Sequence, residues 1–106
     1  MNEAKSSFYE KCYEQLTLIP KGKVTTYKEI ARSINSKAYR AVGTAMANNK
    51  NPIIIPCHRV VKNSGEIGEY IYGAEKKIEL LREEGILITG KKVDNFEEYL
   101  FKFDNC

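Results

Sequence analysis

The chain reads as a mainly α-helical domain with a small β-hairpin, and three observations predict that class. Apolar residues recur at helical spacing in several separate stretches. Clusters of Gly, Pro, Asn and Ser punctuate those stretches at short intervals. Strand character is confined to short apolar runs, such as residues 53–55 and 86–89. At 106 residues, 42% apolar and 29% charged, the chain has the make-up of one globular domain with a single modest core. No apolar run approaches the ~20 residues of a membrane span. Residues 1–5 show none of the apolar stretch of a signal peptide, so a cytoplasmic protein is expected. Cys12, Cys57 and Cys106 are odd in number, widely spaced and without a CxxC pair. That pattern argues against both a disulfide framework and a metal site. Cys12 reads as a small core residue and Cys106 as a tail residue.

The first helix is expected over residues 5–18, where Phe8, Cys12, Leu16 and Ile19 share one stripe, with Pro20 and Gly22 ending it. Thr26-Tyr27-Lys28-Glu29 fits a capping box, which predicts a short helix over residues 27–33. Asn35 and Ser36 make a turn, and Ser36 is placed to cap a helix over residues 37–48. In that helix Tyr39, Val42 and Met46 define the core side. Arg40, Gly43, Thr44 and Ala47 fall opposite. Gly on a helix surface costs about 1 kcal/mol against Ala, and small residues there permit close approach by another surface. Two short helices joined by a tight turn, the second with such a face, suggest a winged helix-turn-helix-like DNA-binding domain. An ordinary helical hairpin remains the alternative at this point.

Asn48-Asn49-Lys50-Asn51-Pro52 forms a rigid polar bend. Residues 62–65 read as a hairpin turn, with Glu66-Ile67-Gly68 returning. A third helix is expected over residues 74–84, closed by Gly85, with Ile78, Leu80 and Leu81 apolar. Glu84 projects between Leu80 and Leu81 at the end of that helix, where the dipole disfavours an acid. Both facts point to a partner. Residues 86–89 and Gly90 read as a small strand and turn. Asp94 or Asn95 then caps a final helix whose apolar residues are Phe96, Tyr99 and Leu100.

The chain is organised around Ile53-Ile54-Ile55-Pro56-Cys57-His58-Arg59-Val60-Val61, which holds the only histidine in the sequence. A thiol becomes a nucleophile as a thiolate, a form that a neighbouring base promotes. On adjacency alone, a buried cysteine in a core strand with His58 as its satisfied neighbour is the more ordinary reading. The net charge of +3 conceals a split. Residues 1–64 carry eleven Lys/Arg against four acids, a net of +7, while residues 65–106 carry six against ten, a net of −4. Such an asymmetry suggests a basic face and a polyanionic partner.

Taken together, these residues resemble the DNA-binding, active-site domain of the 6-O-alkylguanine-DNA alkyltransferases. The resemblance is carried by Ile55-Pro56-Cys57-His58-Arg59-Val60-Val61 and by Arg40-Ala41-Val42-Gly43-Thr44-Ala45-Met46. Gly22-Lys23-Val24-Thr25-Thr26-Tyr27, Tyr70-Ile71-Tyr72-Gly73 and the segment from Lys77 to Gly85 add to it. It implies that Cys57 takes the alkyl group, that His58 deprotonates it through a water, and that Glu84 orients His58. Asn49 would brace the active-site turn. Arg40 would enter the base stack in place of a flipped nucleotide, and Tyr27 would help rotate that nucleotide. Thr26, Ala41, Gly43, Thr44 and Ala47 complete the implied DNA-binding set, while Tyr70, Val60, Ile71 and Arg59 are the implied base pocket. The implied partner is double-stranded DNA carrying alkylated guanine, bound by a monomer, with other repair proteins as further partners. No cofactor, metal or membrane is implied.

Two departures stand out. The chain begins almost at the active-site domain, without the N-terminal domain usual in the family, and Ile71 stands where many members have Ser. Alkyltransferase-like relatives share this brevity but carry Trp in place of the cysteine. They bind lesions without transfer. A winged-helix regulator reading its site in the major groove is the remaining alternative.

Overall fold

The computed structural model describes residues 3–50 and 55–103. Four expectations, for Ile53, Ile54, the bend residues Asn51 and Pro52, and the tail residue Cys106, lie outside the described residues. Helix α1 is Glu3–Leu16, ending before the expected residue 18. The residue preceding a proline is pushed out of the α region, so the chain tightens at Ile19 (N to Leu16 O, 3.1 Å) and leaves at Pro20. Cys12, Leu16 and Ile19 are buried as the stripe predicts.

Strand β1 is Thr25–Thr26 and runs straight into α2, Tyr27–Ser33. The Thr26 hydroxyl accepts from the Glu29 amide at 3.0 Å, one half of the expected capping box. The Glu29 carboxylate instead takes a hydrogen bond from Arg32 at 2.7 Å. Helix α3 is Tyr39–Ala47, and its buried face is Val42, Ala45 and Met46. Tyr39 was expected in the core but is 44% exposed, because the i, i+3, i+4 stripe starts at Val42 and leaves the first turn overhanging the surface. Ser36 does not cap α3 either. Its hydroxyl accepts from Ala38 N at 3.0 Å, one turn-residue too early.

Residues Cys57–Arg59 form a single 3-10 turn, followed by β2, Val60–Val61. The expected turn at residues 62–65 is present, with Gly65 N donating to Lys62 O at 2.9 Å and Lys62 N to Glu66 O at 2.8 Å. No regular hairpin grows from it. Strand β2 pairs in parallel with β1, Thr25 opposite Val60 and Thr26 opposite Val61, while Glu66 bridges Lys92. The antiparallel hairpin is the next one along, β3 (Ile88–Thr89) with β4 (Lys92–Val93), turning through Gly90 at φ +63°. The short last helix α5, Phe96–Tyr99, starts at Asn95 without a side-chain cap. Asp94 accepts from the Thr89 hydroxyl at 2.6 Å instead. Leu100 then bridges Val24 on the other side of β1.

Helix α4 is Ala74–Glu83. It ends in a Schellman motif: Ile86 N donates to Leu81 O and Gly85 N to Arg82 O, both at 3.0 Å, with Gly85 at φ +93°. Of its expected apolar side, Leu81 is fully buried, but Ile78 and Leu80 are only half-buried. Lys77 is fully buried in their place. Two apolar clusters hold the fold together. One joins α1, α2 and α3 with Cys57 and Val60; the other joins Val24, Val61, Ile67, Leu81, Ile86, Ile88 and Val93. Because strand side chains alternate, Val60 and Val61 point into different clusters, and the turn carrying Cys57 sits at their junction.

Candidate active site

Pro56 is the cap residue of the 3-10 turn and supplies a fixed φ of −78°. Cys57 N donates back to Ile55 O at 2.7 Å and Arg59 N to Pro56 O at 3.1 Å. The sharp turn places Cys57, 5% exposed, in the lining of a cavity of about 710 Å³. One wall is the outer face of α3, with Arg40, Gly43, Thr44 and Ala47. The other is the loop bearing Glu69, Tyr70 and Ile71, and Tyr27 also reaches the cavity. Asn49 is buried immediately after α3, and its Nδ2 donates to Ile55 O at 2.9 Å. That bond ties the end of α3 to the residue before the turn.

His58 and Arg59 leave the turn away from the cavity and meet Glu84. His58 Nε2 lies 2.9 Å from Glu84 Oε2. Arg59 closes a two-pronged pair, Nε to Oε1 at 2.9 Å and Nη2 to Oε2 at 2.8 Å, and its Nη1 donates to Ile19 O at 2.8 Å. Burial pushes the Glu84 carboxyl upward, but the hydrogen bonds from Arg59 and His58 outweigh it and hold the group below the usual carboxylate range. Burial pulls His58 below the ordinary imidazole range, against the opposing pull of Glu84, so the ring is neutral near pH 7. An ionised carboxylate only accepts. The His58 proton is therefore on Nε2, and Nδ1 is left as a base. That Nδ1 is buried and has no partner among the described residues.

Burial also raises the Cys57 thiol above its ordinary range, although the Asn49 hydrogen bond and the Lys77 charge both pull it down. The resting group is a thiol that needs a base. Burial holds the Tyr27 and Tyr70 phenols up at about 12, so both keep their protons. The arrangement therefore pairs a cavity-lining thiol with a neutral, carboxylate-oriented imidazole one residue on, the nucleophile and base from which a thiolate is generated.

The structure brings Cys57, Arg40, Tyr27, Gly43, Thr44, Ala47, Tyr70 and Ile71 to one cavity and sets His58, Glu84 and Asn49 behind it. Four other expected site residues lie outside that lining. Arg59 does not line the cavity but clamps Glu84. The Val60 side chain is core, fully buried in the first cluster. Thr26 is 4% exposed, and its hydroxyl accepts from Glu29 N at the start of α2. Ala41 lies on α3 beside the cavity, not in its lining. Sequence reasoning missed Tyr39, Met46, Lys62 and Glu69 in that lining, and Lys77 beneath it. Lys77 left a signal: it lies four residues before Leu81, on the buried stripe of α4. Among the described residues no group of three or more His, Cys, Asp or Glu could hold a metal ion.

Residues 7–86 match the family described as the 6-O-methylguanine DNA methyltransferase DNA-binding domain. The chain belongs to that family. The methyltransferase-family relatives include a methylated-DNA–protein-cysteine methyltransferase of Thermococcus kodakarensis, 46% identical over 79% of this chain and 48% of its own. A namesake from Candida glabrata is 40% identical over 82% of this chain and 42% of its own. The chain thus spans less than half the length of either relative. Among solved structures, S. pombe Atl1 in complex with damaged DNA containing O6-carboxymethylguanine matches at a TM-score of 0.82 and 34% identity, over 92% of this chain and 96% of that one. The family's DNA-binding domain thus accounts for the mainly helical fold.

Proposed function

We propose that this chain repairs DNA by a single, stoichiometric transfer of the alkyl group of 6-O-alkylguanine to Cys57. The observation that carries the reading is the pairing of a cavity-lining thiol with a neutral imidazole whose other nitrogen is fixed by Glu84 at 2.9 Å. A base cannot present its exocyclic substituent to a side chain inside the duplex, so the nucleotide must leave the stack first. The small residues Gly43 and Ala47 on the cavity wall allow the backbone of the DNA to approach α3, and Arg40 is placed to fill the gap left behind. Tyr27 is positioned beside the same cavity to engage the rotated nucleotide.

In the chemical step, His58 Nδ1 draws the Cys57 proton by way of a water, and Glu84 stabilises the imidazolium that results. The Sγ–C bond forms as the C–O6 bond breaks. The electron pair returns to the guanine, which takes up the proton released by Cys57 and stays in the strand as the unmodified base. The thioether is stable, so each molecule acts once. Incubation with a duplex containing 6-O-methylguanine, followed by intact-mass measurement, tests this. A methyl-sized gain that disappears in Cys57→Ala is expected. No gain, or a gain that survives Cys57→Ala, overturns the reading.

One observation favours a second reading. The fold is similar to that of S. pombe Atl1 in complex with damaged DNA containing O6-carboxymethylguanine, at a TM-score of 0.82 and 34% identity. Under that reading the chain binds alkylated DNA and recruits other repair proteins without transfer. It predicts lesion-dependent binding with Cys57 unmodified.

A further inference from the structure

Lys77 is the largest fully buried side chain among the described residues, and the transfer step outlined above does not use it. Its Nζ donates to Val60 O at 2.6 Å and to Glu69 O at 3.0 Å. Those carbonyls lie on two sides of the site. Val60 follows the 3-10 turn that presents Cys57, and Glu69 stands in the cavity wall next to Tyr70. A buried ammonium is unfavourable unless it is paired, and apolar packing would join the two segments at least as well as a charge does. Burial lowers the Lys77 ammonium to about 8, and the leading influence working against burial is Cys57, ahead of Glu69. The same charge acts on the thiol in return.

We propose that Lys77 is a positioning residue for the nucleophile: its ammonium fixes the turn that carries Cys57 against the cavity wall and stabilises the thiolate as it forms. The inference rests on Cys57 being the acceptor of the alkyl group. Lys77 neither gives nor takes a proton in the transfer. The charged and titratable groups around this pair come from every neighbouring element. Tyr13 from α1, Tyr27 from α2 and Tyr70 from the cavity wall face Cys57, while Glu69, Lys62 and His58 of the 3-10 turn face Lys77. The three tyrosines are all raised and stay protonated through the range of the test.

The test is the pH profile of Cys57 alkylation by iodoacetamide, read on the Cys57 peptide, in the wild type and in Lys77→Met, Lys77→Gln and Lys77→Arg, with thermal melts alongside. Removing a facing positive charge raises a thiol's pKa, so Met and Gln should both slow alkylation near pH 7 about tenfold and move the inflection upward. Gln retains a donor and Met does not, so agreement between them assigns the effect to charge. Arg should keep a profile near the wild type. Neutral variants that melt cooperatively and overlay the wild-type profile overturn the proposal, as does an Arg profile that follows Met. The outcomes separate from those of the proposed transfer. Shifted profiles without methyl gain sink the transfer alone; methyl gain with overlaid profiles sinks the role of Lys77 alone.

Discussion

Glu84 carries more of the site than its position at a helix end suggests. One carboxylate takes hydrogen bonds from His58 and twice from Arg59, and the side chains of Arg59 and Glu84 are only 16% and 11% exposed. Replacing it by Ala leaves the Arg59 guanidinium enclosed without its anion and frees the His58 ring. Glu84→Ala should cost about 3 kcal/mol in urea unfolding. It should also slow methyl transfer roughly 100-fold, the scale of an uncoupled general base. Loss of stability with an unchanged transfer rate would remove His58 orientation from the mechanism. Cys12 offers a contrasting thiol. It is fully buried, and burial alone raises it from 9.0 to about 11. The unfolded chain therefore ionises first as pH rises, so the Cys12 contribution is complete below pH 9 and is lost between pH 9 and 11, a fall of about 2–3 kcal/mol. Urea midpoints at pH 8.5 and 10.5 should diverge less in Cys12→Ala than in the wild type.

At the scale of elements, two glycines in open space should behave oppositely. A Cβ added at Gly43 or at Gly85 meets nothing within 4 Å, so only backbone conformation separates them. Gly43 is interior to α3, and Gly43→Ala should stabilise the fold by about 0.5–1 kcal/mol. Gly85 holds a φ of +93° in the Schellman turn, and Gly85→Ala should destabilise by about 1 kcal/mol. If α3 lies against DNA, Gly43→Ala should also weaken binding to an alkylated duplex while raising the melting temperature. A more stable variant with unchanged affinity would argue against close approach at this face.

At the scale of the whole molecule, the charge split acquires a geometry. Arg40 and Lys62 border the cavity, whereas Glu75, Glu79 and Glu83 are exposed on α4, alongside a separate groove. A basic face approaching a polyanion releases counterions, so log affinity for duplex DNA should fall linearly with log salt, at a slope near 0.9 per phosphate neutralised. Titration of a labelled duplex across a salt series checks this. A flat dependence would remove the electrostatic face from the proposal.

The elements that were legible in the sequence are those built from near neighbours in the chain. The stripe of α1, the Thr26 cap, the Gly85 stop and the inward set of Glu84 all follow from spacing within one or two helical turns. Most departures from expectation involve partners far along the chain. The β1–β2 pairing joins Thr25 to Val60, two-residue strands too short to show a period. The resemblance implies Arg59 in the base pocket, and only the fold reveals Glu84 on its other side. Tyr39 falls on the core stripe by spacing yet is exposed, because a stripe does not show where a helix begins.

The Cys57-His58 pair, its Pro56 turn, the small-residue face of α3 and the uneven charge are properties of the sequence itself, since each depends on residue type and local spacing. The tertiary structure decided that His58 Nδ1 is the free nitrogen, that Arg59 supports Glu84, and that Lys77 is buried beneath the cavity. Those outcomes depend on which distant groups share a region of low dielectric, where a carboxylate, a carbonyl or an ammonium a few ångströms away sets protonation. No local pattern in the chain records that distance.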